Sequence, residues 1–212
     1  MCGIVGYKGG GNAGHLVHSG LKKLTYRGYD SWGFGFRNCK GFDVIKDVGD
    51  VEKLESVESN GSSLAIGHCR WATHGGVTKE NAHPHTSCDG RIAVVHNGII
   101  ENFQELKQEL IGKGHTFKSE TDTEVIVHLI EEYAKENDFQ SSVKLASARL
   151  KGLYAFVAAH MDFNGLIGVK NGSPLVIGVG ENESFLASDV VAFLESTRKA
   201  IYLEDGEMVV IK

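Results

Sequence analysis

Cys2 stands one residue from the start of the chain, followed at once by Gly3-Ile4-Val5-Gly6-Tyr7. Removal of an initiator Met before a small residue would make Cys2 the first mature residue, with a thiol and a free α-amine on the same amino acid. A thiol attacks as thiolate, with a reference pKa of ~8.5, and a free α-amine titrates near ~7.7–8.0. An amine in that range is an internal general base at neutral pH, directly or through one water. The alternative for a lone cysteine is an inert buried thiol.

Three further segments carry groups that could serve such a nucleophile. In Gly67-His68-Cys69-Arg70-Trp71-Ala72-Thr73-His74-Gly75-Gly76, a strand ends in a loop bearing a guanidinium, an indole, a hydroxyl and an imidazole. The planar fork of Arg70 suits a carboxylate; the plainer account is a surface ion pair. In Val94-Val95-His96-Asn97-Gly98, a buried strand runs into Asn-Gly. Asn-Gly is a hairpin signal, but a helical pattern follows, so the Asn97 amide and the Gly98 N–H are candidates for an oxyanion hole. In Ser119-Glu120-Thr121-Asp122-Thr123-Glu124, Asp122 either complements a helix dipole or binds an ammonium group.

Two other patterns favour plainer readings. Gly9-Gly10-Gly11-Asn12-Ala13-Gly14 formally matches a dinucleotide-binding fingerprint, but strands and helices do not alternate as that fold requires, so it reads as a glycine-rich turn. His68, Cys69, His74, His83, His85, Cys88 and His96 are dense enough to suggest zinc. No Cys-x-x-Cys or His-Glu-x-x-His unit anchors them, so hydrogen-bonded loop histidines and no metal are expected.

The elements that must position these groups follow from periodicity. Ile4–Tyr7, Leu64–His68 and Ile92–His96 read as strands, and Trp32–Phe36 with Phe42–Lys46 as a hairpin turning at Asn38–Gly41. Helical spacing predicts helices over Ala13–Thr25, over Asn102–Ile111 with a stop at Gly112, and over Phe139–Leu150. Thr121 to Glu124 reads as a capping box for a helix with the stripe Val125, Ile126, Leu129, Ile130 and Tyr133. Tyr154–His160, Gly165–Lys170, Leu175–Val179, Ser184–Ala187, Ile201–Glu204 and Met208–Ile211 are strand-like, with a short helix near Val190–Leu194. Helices in the middle and hairpins at both ends predict an α+β fold of antiparallel layers.

Composition sets the outer bounds. With 212 residues, no internal repeat and no Pro/Ser-rich linker, residues 1–212 read as one domain that needs no disulfide or metal staple. Hydrophobic residues at 42% and charged residues at 23% exclude disorder and coiled coil. A net charge of −5 without a basic run argues against nucleic acid, and no apolar stretch is long enough to span a membrane. Four cysteines without a tight spacing pattern, and no signal-peptide pattern, point to reduced thiols and a cytoplasmic location.

Taken together, CGIVGY, LTYRGYDS, HCRWATHGG, NAHPH, HNGIIENFQELK, SETDTEVIVHL, GSPLVIGVG and ASDVV occur in this order along the whole chain. In this the sequence resembles the class II glutamine amidotransferases, and most closely the glutaminase domains of the aminosugar-forming branch, the glucosamine-6-phosphate synthases. The resemblance implies a four-layer αββα sandwich of the N-terminal nucleophile hydrolase type. It implies L-glutamine as substrate, Cys2 as nucleophile with its own amine as base, and Asn97 with Gly98 as oxyanion hole. It assigns Arg70 to the substrate α-carboxylate and Asp122 to its α-ammonium, with Thr73 and His74 on the same binding loop. Arg27 and Gly28 would orient the terminal residue, and Trp71 would gate ammonia.

Two positions depart from the family pattern: Trp32 stands where Ala is common, and Cys69 where Thr is common. Nothing in the sequence resembles sugar isomerase domains. The resemblance therefore implies that those partners lie in a longer chain or a separate subunit, with a homodimer as assembly and no cofactor. The alternatives are a glutaminase subunit of another class II amidotransferase and a non-catalytic glutamine-sensing module.

Overall fold

The computed structural model describes residues 2–59 and 61–212; Met1, whose removal the sequence reading expects, lies outside them. In chain order, β1 (Gly3–Gly9) leads through α1 (Ala13–Lys22) to β2 (Ser31–Arg37), β3 (Phe42–Val48) and β4 (Leu64–Arg70). Next come β5 (His85–Thr86), β6 (Ile92–Gly98) and the helices α2 (Phe103–Gly112), α3 (Glu124–Ala134) and α4 (Phe139–Arg149). Then follow β7 (Tyr154–His160), β8 (Leu166–Asn171), β9 (Val176–Val179), β10 (Glu183–Ala187), β11 (Ala200–Tyr202) and β12 (Met208–Ile211).

The strands form two antiparallel sheets, ordered β11-β9-β10-β1-β4-β2-β3 and β12-β8-β7-β6-β5. Period-two alternation decides what each face buries. On β7, Tyr154, Phe156 and Ala158 join Val125, Leu129, Leu106 and Val143 of the helices, while Ala155, Val157 and Ala159 face the other sheet. On β1, Ile4 joins that layer between the sheets, and Val5 packs with Val17 and Leu21 of α1. The small alanines between the sheets let the layers approach closely. The order of layers is α1, the larger sheet, the smaller sheet, then α2–α4, the four-layer αββα arrangement.

Several local expectations change. α1 stops at Lys22 and the chain tightens into a 3₁₀ turn at Thr25–Arg27, rather than remaining helical to Thr25. α2 ends at Gly112 as its sequence predicts, and the turn out of it is completed at Gly114, at φ +93°, after which the His115 N–H returns to Leu110 O at 3.0 Å. The capping box does not form. The Thr121 hydroxyl pairs with His85 Nε2 at 3.1 Å, and the Glu124 carboxylate instead accepts from the Lys118 and Ser119 amides, both at 2.8 Å. The short helix near Val190 is one 3₁₀ turn, and the strand expected at Ile201–Glu204 is Ala200–Tyr202.

Candidate active site

The position of Cys2 follows from sheet register. β1 lies beside β4 with Gly3 opposite Cys69 and Ile4 opposite His68, so Cys2 emerges where β4 ends at Arg70. Its Sγ accepts the Trp71 N–H at 3.2 Å and lies 3.4 Å from the Trp71 carbonyl, to which the thiol donates. Burial pushes the Cys2 thiol above its ordinary value; the Trp71 N–H and the Arg70 guanidinium pull it back, and the Asp122 carboxylate raises it.

Gly28 abuts the backbone that holds this sulfur: a Cβ there would lie 2.6 Å from the Arg70 carbonyl carbon and 2.7 Å from the Trp71 nitrogen. Arg27 borders the same cavity as Cys2, but its Nη2 pairs with Asp189 at 2.8 Å and its Nε donates to the Tyr26 hydroxyl. Asp30 adds a brace, its Oδ2 accepting the Ala72 N–H at 2.9 Å.

At the end of β6, the Asn97 Nδ2 donates to the Cys2 carbonyl at 2.9 Å. Its Oδ1 lies 3.0 Å from Nε2 of His68, which is also 2.9 Å from the His96 carbonyl. Both neighbours of that nitrogen are acceptors, so Nε2 carries the proton. Burial drives His68 down to about 3, so its ring is neutral. Gly98 follows at φ +114°, and a Cβ there would lie 2.1 Å from the Leu153 carbonyl oxygen. Only glycine combines that backbone with that approach.

Arg70 and Asp122 border one narrow slot together with Cys2, Trp71, Thr73 and His74. Arg70 is already engaged: Nη1 donates to Gly76 O at 3.1 Å, and Nη2 donates to the His74 and Gly75 carbonyls. Asn81 closes the same loop from outside, donating to Gly76 O at 3.1 Å and to Glu120, whose N–H it accepts. Buried Asp122 receives the Ile100 N–H on Oδ2 at 2.7 Å. The slot holds about 20 Å³ of free space, and a neighbouring cavity of about 300 Å³ meets it at Cys2, Trp71, Thr73 and Gly98. Trp71, 45% exposed, stands over both with its ring 5.5 Å from that of Tyr29.

The structure thus brings Cys2, Arg70, Trp71, Thr73, His74, Asn97, Gly98 and Asp122 to one place, with Arg27 and Gly28 at its edge. It also shows what the histidine-rich run does. His83 and His96 line the slot with His68 and His85 buried behind them, and Thr123 Oγ1 bridges His83 Nε2 and His96 Nδ1 at 2.6 and 2.8 Å. Lys46 on β3 pins their loop through the Glu80, Ala82 and Pro84 carbonyls, and burial lowers its ammonium to about 8. Sequence reasoning named these histidines but gave none a role at the site. The signal available was the pair His68 and Asn97 at the ends of two buried strands. Gly9–Gly14 lies elsewhere, against a cleft of about 950 Å³ lined by His15, Lys22 and Glu55 among others, and β1 is antiparallel to both its neighbours. A dinucleotide fold needs a parallel crossover there.

Residues 68–195 match the glutamine amidotransferase domain family. The chain belongs to that family. The amidotransferase domain is 49% identical over 212 residues to a glutamine–fructose-6-phosphate aminotransferase (isomerizing) of Thermus thermophilus, covering 99% of this chain and 35% of the relative. It is 50% identical over 217 residues to the protein of the same name from Thermococcus kodakarensis, covering 100% of this chain and 36% of the relative. The chain therefore spans about a third of the length of the curated relatives it matches. Among solved structures, the glutamine phosphoribosylpyrophosphate amidotransferase of B. subtilis superposes with a TM-score of 0.82 at 30% identity, over 99% of this chain and 47% of that one. No helix among the described residues is long and apolar enough to cross a membrane.

Proposed function

We propose that this amidotransferase domain, residues 1–212, hydrolyses the side-chain amide of L-glutamine through a Cys2 thioester. We propose further that the ammonia serves glucosamine-6-phosphate formation from fructose-6-phosphate by sugar isomerase domains. The observation that carries the first part is the convergence on one sulfur. Trp71 N–H contacts Sγ, the Asn97 amide is anchored to the same residue's carbonyl, and Arg70 and Asp122 border the slot beside it. The names and lengths of the relatives support the second part.

In this reading Arg70 receives the substrate α-carboxylate and Asp122 its α-ammonium, with Thr73 and His74 alongside. The two charges are fixed points that set the reach of the side chain, so an amide one methylene shorter falls short of Cys2. With Met1 removed, the Cys2 α-amine takes the thiol proton. The sulfur attacks the amide carbon, and the oxyanion is held by the second N–H of Asn97 and the N–H of Gly98. Loss of one such donor costs on the order of 2.7–4 kcal/mol in an acyl-transfer site. The C–N bond breaks as the amine passes its proton to the departing nitrogen, releasing ammonia. Water then cleaves the γ-glutamyl thioester, giving glutamate and the free thiol.

The slot's free space of about 20 Å³ holds about one water, so glutamine reaches Cys2 through the adjoining cavity of about 300 Å³ or with displacement of the Thr73–Gly76 loop. Trp71, lying across the slot and the larger cavity, is the group placed to screen ammonia from solvent. Reduced, unpaired cysteines support a cytoplasmic location, and a homodimer is the assembly expected of the longer chain.

Intact mass before and after an electrophilic glutamine analogue tests the proposal. The expected result is a chain starting at Cys2 that gains one adduct, and a Cys2→Ala variant that gains none and turns over no glutamine. A folded chain starting at Cys2 that neither labels nor hydrolyses glutamine overturns it; glutamine binding without turnover would instead support a sensing module.

A further inference from the structure

Away from the slot, four side chains of metal-binding type converge. The ligand atoms of Cys88, His115, His128 and Glu131 all lie within 4.8 Å of one another. Cys88 Sγ is 3.8 Å from Nδ1 of both histidines, and Glu131 Oε2 is 3.0 Å from His115 Nδ1 and 2.8 Å from His128 Nδ1. Around zinc, with bonds of ~2.0–2.3 Å, the edges of a tetrahedron of these donors are ~3.3–3.6 Å. Four of the six edges, at 2.8–3.8 Å, lie within about half an ångström of that shape, and the other two lie within 4.8 Å, a span that rotation of the side chains about an ion would close.

The surroundings are those of a metal centre as well. Histidine ligands usually have a carboxylate or carbonyl on the far nitrogen. His115 Nε2 is 2.9 Å from Glu132 Oε2, and His128 Nε2, buried without a hydrogen bond, faces Glu124 Oε1 at 3.8 Å. Cys88 Sγ accepts the Thr116 N–H at 3.5 Å, and the Cys88 N–H holds Glu131 Oε1 at 2.9 Å, leaving Oε2 to the centre. The histidines are buried while Cys88 is exposed, which gives an ion a way in. Local structure explains the convergence: Gly114 turns the chain out of α2 to deliver His115, and α3 presents residues 124, 128 and 131 on one face.

We propose that Cys88, His115, His128 and Glu131 form a four-coordinate Zn²⁺ site that clamps the β5–β6 turn and the α2–α3 connection to α3. A thiolate and two imidazoles select zinc over calcium or magnesium, and four protein ligands make the site structural. One thiolate and one carboxylate balance the ion's two positive charges. The segment it secures, residues 116–123, carries Asp122 into the slot. The expectation of no metal grouped Cys88 with Cys69 and the histidines from His68 to His96; the residues that meet it in space, His115, His128 and Glu131, come later in the chain.

The test uses the full purified chain, stripped with a chelator, dialysed and offered Zn²⁺ or Co²⁺ alone, with metal content measured by mass spectrometry. We expect about one metal per chain. The Co²⁺ form should show tetrahedral ligand-field bands and a thiolate-to-cobalt charge-transfer band. Cys88→Ser, at an exposed position, should fold as judged by circular dichroism, lose the charge-transfer band and bind at least ~10-fold more weakly; Cys39→Ser should change neither. Substoichiometric binding by the folded chain, an octahedral Co²⁺ spectrum, or undiminished binding by Cys88→Ser would each overturn the site. None of these readouts depends on glutamine turnover.

Discussion

His68 Nε2 donates to Asn97 Oδ1 at 3.0 Å, and that single bond decides which end of the Asn97 amide faces Cys2. With the carbonyl end committed to His68, the NH₂ end is left to the Cys2 carbonyl and to any charge that develops beside it. His68 is therefore a positioning residue for the oxyanion donor. A His68→Phe variant keeps an aromatic ring but cannot donate. We expect kcat for glutamine hydrolysis to fall ~10- to 100-fold, about 1.4–2.7 kcal/mol, with KM changed much less. A variant with unaltered kcat would remove His68 from this role.

Asp122 uses one oxygen on the Ile100 N–H, a bond that an asparagine at this position can keep. Asp122→Asn should therefore fold normally while losing the charge proposed to hold the substrate ammonium. Steady-state kinetics should show KM for glutamine raised ~10- to 100-fold, in line with a charged hydrogen bond worth ~1.5–3 kcal/mol. An unchanged KM would assign the ammonium elsewhere.

The nucleophile proposal makes the first residue indispensable in two ways. A chain that retains Met1 or carries an N-terminal extension has no free amine on Cys2, and its nucleophile is no longer the terminal residue. Such a protein, shown uncleaved by intact mass, should be folded and inactive. Full activity in it would falsify the role given to the terminal amine.

Gly98 combines φ +114° with a packing distance that leaves no room for a methyl group against Leu153 O. Gly98→Ala must shift the β6–β7 pairing and with it the adjacent Asn97. Strain of ~1–3 kcal/mol lowers Tm by roughly 2–12 °C in a domain of this size. Activity should fall more steeply than stability. A thermal midpoint and a kcat both equal to the parent's would contradict the packing argument.

The buried histidines fix the sign of the response to acid. Burial holds His68 and His85 down to about 3 and lowers His83 and His96 as well, whereas an unfolded histidine titrates near ~6.5. Above ~6.5 neither state binds these protons and stability is full. Between ~6.5 and ~3 the unfolded chain takes up protons that the folded chain refuses. Stability then falls as pH falls, by up to ~1.4 kcal/mol per pH unit for each such group. Urea unfolding at a series of pH values should show the midpoint declining below about pH 6.5, and replacing His83 by Asn should shallow that slope. A midpoint that rises on acidification would reverse this assignment.

Most of what the sequence determined about this protein is short-range. Hydrophobic periodicity placed the strands and the cores of the helices, because whether residue i shares a face with i+2 or i+4 depends only on local backbone geometry. Boundaries went astray where a tertiary partner outbid the local one. Thr121 has the spacing of a cap but spends its hydroxyl on His85, brought to it across the sheet edge. Composition and motif order likewise marked Cys2, Arg70, Asn97, Gly98 and Asp122 without placing them relative to one another. That was decided by register between strands far apart in the chain: β1 beside β4 sets the sulfur against Trp71, and the stacking of two sheets sets His68 against Asn97. The Cys88 cluster joins a turn, a helix exit and a helix face across 43 residues, and no local pattern encodes that meeting. Such contacts exist only once the apolar faces have been buried together, which is a property of the packed whole and of no single segment.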